Sequence, residues 1–165
     1  MHTPESLANG LQFKPRPSDV FIVTYPKCGT TWVQQIAHGL RSGGDMNFDE
    51  IDVATPWTIC ALDCKLDLNA EQAFHPRLYK SHESETKIAK GGKYIYVARN
   101  PESVLFSFHQ FVVDYCGLSP ETDIGIDEFA DKVFFGSGAI ILCVFSAFSL
   151  SSYMQEQTPG PTFIT

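Results

Sequence analysis

Asp19-Val20-Phe21-Ile22-Val23-Thr24, followed at once by Tyr25-Pro26-Lys27-Cys28-Gly29-Thr30-Thr31, is the stretch on which the fold turns. The first six residues are a short β-rich apolar run and predict a buried strand. Pro26 and Gly29 break it into a loop. Beyond the loop, Trp32, Val33, Ile36, Ala37 and Leu40 recur at helical spacing, and a helix should stop near Gly39–Gly44. A strand, a tight loop carrying lysine and glycine, and a helix opening on two threonines together make an anion-binding device. The N–H groups of the helix start point at the ligand, and the helix dipole favours negative charge there. Gly29 lets the backbone approach, Thr30 and Thr31 add hydroxyls, and Lys27 supplies a mobile cation. Taken alone, the same residues also fit an ordinary strand-to-helix turn with a surface lysine.

Working outward, Lys93-Tyr94-Ile95-Tyr96-Val97-Ala98 is a second predicted buried strand. Asn100-Pro101 supplies a side-chain cap and a proline suited to the first helical position. Val104, Leu105, Phe108, Phe111 and Val112 mark one face of the helix that follows. Two strands each feeding a helix predict an α/β fold with a parallel sheet and crossover helices. Between them the chain is harder to read. Thr55-Pro56-Trp57 reads as an exposed corner leading into a short helix, and His75-Pro76-Arg77-Leu78-Tyr79-Lys80 as a turn and short strand. Leu7–Ser18 reads as a proline-interrupted lead-in.

The first loop is not a Walker A motif, which needs Gly-x-x-x-x-Gly-Lys-[Ser/Thr]; here lysine precedes glycine by two residues. Magnesium-dependent nucleotide triphosphatases commonly place an aspartate at the end of a neighbouring strand. Here that strand end delivers Arg99, better suited to a second phosphate than to a metal. The order of residues thus argues against a kinase. At 165 residues with a formal net charge of −7, the chain is long enough for a real core and too acidic for non-specific nucleic-acid or anionic-membrane binding. Its five cysteines form no C-x-x-C pair. With a polar Met1–Lys14 start, they point to a reduced, cytoplasmic setting.

Tyr25-Pro26-Lys27-Cys28-Gly29-Thr30-Thr31-Trp32 resembles the 5′-phosphosulfate loop of the cytosolic sulfotransferases, with Cys28 where the family usually has serine. Tyr96-Val97-Ala98-Arg99-Asn100-Pro101, with Ser107 eight residues past the arginine, is similar to that family's 3′-phosphate site. The resemblance implies a P-loop-type parallel sheet and the sulfate donor 3′-phosphoadenosine 5′-phosphosulfate (PAPS), whose product is PAP, with no metal. It makes Lys27, Cys28, Gly29, Thr30, Thr31, Trp32, Arg99 and Ser107 donor-binding residues. Arg77-Leu78-Tyr79-Lys80-Ser81-His82 is similar to the segment carrying the family's catalytic histidine. His82 becomes the expected base, with Lys27 and Lys80 stabilising charge on the leaving oxygen. Thr55-Pro56-Trp57 resembles a segment bordering the acceptor pocket, where Trp57 would suit a flat acceptor such as a phenol or steroid alcohol. A core or surface tryptophan fits Trp57 equally. His2, His38, His75 and His109 have no such support and are expected to be structural. A non-catalytic nucleotide- or partner-binding module is the alternative.

The resemblance runs from about Leu11 to Gly136-Ser137 and stops. Residues 1–138 match the first part of a sulfotransferase domain, whereas 139–165 do not. Missing with the family's second half are its Arg-Lys-Gly loop, the adenine sandwich and much of the acceptor pocket. The expectation is a truncated or mis-spliced product, marginally stable and catalytically weak or dead. Ala139–Leu150 is nearly all apolar. It reads as a membrane anchor, a buried helix or sequence foreign to the fold, and hydropathy does not separate these. Family members that are membrane-bound usually carry the span near the N-terminus, so membrane attachment is not expected. The expected partner is a small-molecule acceptor.

Overall fold

The computed structural model describes residues 2–116 and 125–135. They form two compact units, one comprising residues up to Thr24 and Gly29–Val97, the other Tyr25–Cys28 and residues from Ala98 on.

The first unit is built on a three-stranded parallel sheet in the order β2-β1-β3, with β1 Val20–Thr24, β2 Leu78–Ser81 and β3 Lys93–Val97. The apolar run quoted above is the central strand, and Phe21 and Ile22 are fully buried. Register places Phe21 opposite both Tyr79 and Tyr94. The three rings stack across the sheet at 5.4 and 5.5 Å between centroids, with Phe13 tilted against Tyr79 at 5.0 Å. This aromatic row is the core of the unit. Lys93–Val97 differs from expectation. Lys93 is exposed and Tyr94–Val97 are only half-buried, because among the described residues β3 pairs on one side alone.

Two buried charges brace the base of the sheet. Arg77 donates from Nε and Nη2 to the two carboxylate oxygens of Asp19 at 2.9 and 2.6 Å. Its Nη1 donates to the carbonyls of Leu68, Asn69 and Ala70. The pair is therefore desolvated but fully hydrogen-bonded, the condition under which a buried ion pair is tolerated.

Helix α1, Pro4–Gln12, begins before the expected lead-in, Leu7–Ser18, and takes up its first half. Thr3 caps it by accepting from the Ser6 N–H, and Pro4 takes the first helical position. Gly10 is the point of contact: a Cβ there would meet the Thr58 carbonyl oxygen at 2.5 Å. Helix α2, Thr30–Ser42, ends on Gly43 at φ 71°, the left-handed C-cap that glycine favours. Its inward face is not the apolar stripe. Thr30, Gln34 and His38 are buried, while Trp32, Ile36 and Leu40 are 76%, 51% and 81% exposed. Short helix α3, Ile51–Ala54, precedes the Thr55–Trp57 corner, which is not exposed: Thr55 is fully buried and Trp57 half-buried. The single turn Thr58–Cys60 follows.

The second unit contains α4, Pro101–Cys116, the short α5, Ile126–Phe129, and a π-helical turn, Ala130–Phe135. Asn100 caps α4 as expected, its Oδ1 accepting from the Ser103 N–H at 3.1 Å. Cys28, Val104 and Phe129 form the buried cluster, joined by Tyr25, Leu105, Phe108 and Val112. Among the described residues no helix is long and apolar enough to cross a membrane. Gly138 and the apolar tail lie outside the described residues.

Candidate functional site

The strand-to-helix loop has the backbone its glycine and lysine foreshadow. Gly29 sits at φ 100° and Lys27 at φ 68°, both left-handed. For Lys27 this is an uncommon conformation that a tight loop imposes. A Cβ on Gly29 would meet nothing within 4 Å, so the loop presents open backbone there. Among the described residues no side chain caps α2, and its first intrahelical bond runs from the Val33 N–H to the Gly29 carbonyl at 3.2 Å. The first-turn amides, including those of Thr31 and Trp32, are thus left without a capping side chain. Cys28 has a different place from its neighbours. Its N–H closes a turn on the Tyr25 carbonyl at 3.1 Å and its side chain is buried beside Val104 and Phe129, so it shapes the loop from inside.

Within the second unit, the two sequence motifs meet. Arg99 Nη1 donates to the Lys27 carbonyl at 3.0 Å across 72 residues. Arg99 is exposed, and a guanidinium carries five N–H donors, so one bond leaves most of the fork to the surface. The Lys27 ammonium lies 4.5 Å from the Phe111 ring centroid. Ser107 sits half-buried in α4, two turns past Asn100.

Within the first unit, His82 follows the last residue of β2. Parallel pairing sets Val23 opposite Ser81, which brings His82 to the end of β1. His82 Nδ1 donates to the Thr24 carbonyl at 2.8 Å. A carbonyl only accepts, so the proton of the neutral ring is on Nδ1 and Nε2 carries the lone pair. Burial holds the imidazole below its ordinary pKa. The bond to Thr24 opposes this, the Lys80 ammonium adds to it, and the Asp52 carboxylate opposes it. The ring is therefore neutral at pH 7. Thr24 Oγ1 shares a short hydrogen bond with Thr30 Oγ1, tying the histidine's anchor to the first turn of α2. Trp57 stands edge-on to His82, with centroids 5.0 Å apart. The Lys80 ammonium lies 4.6 Å from the Trp57 ring centroid and 3.0 Å from Asp52 Oδ2. His82, Lys80 and Trp57 thus share one corner.

Thr24, Gln34 and Asp52 join this corner without having been marked by the sequence. Thr24 could have been found from the strand pairing, had the β1–β2 register been known. Gln34 and Asp52 carried no signal, being 18 residues apart on separate helices.

A cavity of about 350 Å³ elsewhere in the first unit is lined by Arg41, Phe48 and Phe74, among others. Arg41 is committed to the carbonyls of Ala54, Phe74 and Pro76, and Lys65 is a second cation in the lining.

A parallel α/β sheet whose central strand runs into a Lys-x-Gly loop without Walker A order defines a P-loop-like α/β fold. Residues 17–144 match the sulfotransferase domain family, and the chain belongs to it. It is 37% identical over 118 residues to human Sulfotransferase 4A1, covering 65% of this chain and 39% of that protein. It is 30% identical over 138 residues to bovine Sulfotransferase 1E1, covering 78% of this chain and 46% of that protein. Among solved structures, a retinol dehydratase in complex with androsterone and the inactive cofactor PAP superposes with a TM-score of 0.62 at 17% identity. That superposition covers 88% of this chain and 54% of that one, and it shows a shared fold. The chain thus spans less than half the length of these two curated relatives.

Proposed function

We propose that the chain holds PAPS at the Lys27–Trp32 loop and at Arg99 and Ser107, and transfers its sulfuryl group to a hydroxyl or amine of a small phenol- or steroid-like acceptor. The observation that carries this reading is the Arg99 bond to the Lys27 carbonyl within the second unit, which supports a shared role for these two cations. The loop fits an anionic group, for the backbone at Gly29 is open and, among the described residues, no side chain caps the first turn of α2. PAPS when bound supplies an activated sulfuryl group.

The chain's own residues do the rest. Lys27 and the amides at Gly29–Trp32 neutralise charge at the 5′ end, while Arg99 and Ser107 hold the 3′-phosphate. His82 takes the acceptor's proton at Nε2, a role its Nδ1–H bond to Thr24 and its depressed pKa both prepare. Lys80 offers a cation on the same side, and Trp57 an aromatic wall for the acceptor. Relatives bound to PAP have the same fold.

Transfer of radiolabelled sulfate from PAPS to a panel of phenols and steroid alcohols tests the proposal, with His82→Ala as control. Labelled acceptor that disappears in the control supports it. PAP binding with no acceptor labelled would instead establish a binding module.

A further inference from the structure

The side chains around His82 close into a ring of contacts, and one member of it has no assigned task. From α2, the fully buried Gln34 donates from Nε2 to Asp52 Oδ1 at 2.6 Å and to Thr55 Oγ1 at 2.7 Å. Asp52 Oδ2 accepts from the Lys80 ammonium at 3.0 Å. Lys80 lies over Trp57, Trp57 stands against His82, His82 donates to Thr24, and Thr24 Oγ1 returns to Thr30 on α2. An exposed Lys–Asp pair would be worth about 0–1 kcal/mol and would wander. This one does not have that freedom. The Lys80 side chain is 13% exposed and that of Asp52 38%, and the second carboxylate oxygen is tied to a buried amide.

Lysine has a flexible four-carbon stem and a rotatable point charge, so an ammonium needs an external anchor to act from one place. Backbone contacts fix only the start of that stem: the Lys80 N–H donates to the Pro56 carbonyl at 2.9 Å. The far end is fixed by Asp52 and by the face of Trp57.

We propose that Asp52, anchored by Gln34, is a positioning residue that holds the Lys80 ammonium over Trp57 at the His82 corner. This rests on the reading of His82 and Lys80 as reaction-side groups, but its geometry is independent of turnover. It also has an electrostatic consequence. Lys80 and Asp52 are the two charged groups acting on His82, with opposite signs; Thr24 and Trp57, which also pack on it, are neutral. Asp52→Asn removes the negative charge and loosens the cation, so His82 should titrate lower than in the parent protein. Lys80→Met removes the cation and should move the titration up. The double variant should return toward the parent value.

The measurement is the pH titration of the His82 Cε1–H resonance in the parent chain, both single variants and the double variant. Opposite shifts that cancel in the double variant are the expected result. Shifts of the same sign, or none in either single variant, would overturn the proposal. Lys80→Met leaves the Gln34–Asp52 bond intact and so provides a reading even where Asp52→Asn loosens α3. If the opposite shifts appear and no acceptor is ever sulfated, the positioning role stands while the proposed function falls.

Discussion

Two histidines of this chain have depressed pKa values for the same leading reason, burial, yet they are wired in opposite senses. His82 donates from Nδ1 to the Thr24 carbonyl, so its Nε2 is a lone pair. His38, 2% exposed on the inner face of α2, accepts at Nδ1 from Arg41 at 3.1 Å, so the proton of its neutral ring is on Nε2. That Nε2 is buried and, among the described residues, finds no hydrogen-bond partner; the Asp45 carboxylate comes only to 3.9 Å. Phe48 and Phe74 enclose the ring edge-on. The difference teaches that a lowered pKa alone does not mark a base. What marks one is which nitrogen the surroundings leave unprotonated, and His82 alone of the two has it facing a corner with a cation and an aromatic wall.

The largest effect should come from His82→Ala. Sulfate transfer measured by radiolabel should fall by about 10²–10⁴-fold, as for loss of a general base, while PAP affinity by calorimetry stays at the parent value. His38→Ala should do the reverse. It removes one acceptor from the Arg41 guanidinium and opens a gap between two phenylalanines, which together destabilise by about 2–4 kcal/mol in urea unfolding. PAP affinity of the folded protein should not change. Loss of PAP binding in His38→Ala would erase the contrast.

A smaller effect concerns pH. Both folded-state pKa values lie below the unfolded value of about 6.5. The unfolded chain therefore binds more protons in the window just below pH 6.5. The stability these neutral rings contribute is complete above that pH and is lost as pH falls through the folded pKa values. Urea midpoints should decline from pH 7 toward pH 5, and less steeply in His38→Gln. The smallest effect is spectroscopic and leaves function untouched. Nitrogen-15 shifts at neutral pH should report Nδ1–H for His82 and Nε2–H for His38.

The sequence makes the skeleton of this site legible and leaves its supports hidden. The β-rich run at 19–24, the Lys-x-Gly loop and the Asn100-Pro101 helix start are local signals, and each appears where the local chemistry puts it. Periodicity finds α2 but not its inward face. Gln34 turns inward onto Asp52 and Thr55, which come from elsewhere in the chain, and His38 onto Arg41, one turn further along the same helix. The capping signal of α1 is present at Thr3 and Pro4 but is masked by the prolines that follow. Strand β3 reads as buried from composition, yet burial depends on neighbours that no five-residue window contains. The same holds for Trp57, whose corner is buried by its parallel bridge to Lys80.

The claim beneath all of this is that the Lys27 loop and Arg99 grip one nucleotide bearing phosphates at both ends. Calorimetric titration of the full chain with PAP in the absence of magnesium tests it most directly. The expected result is saturable binding, weakened by about 10- to 100-fold in Arg99→Ala, the equivalent of roughly 1.5–3 kcal/mol for hydrogen bonds to a charged group. Binding of PAP that is indifferent to Arg99, or a preference for magnesium-bound ATP over PAP, would contradict it.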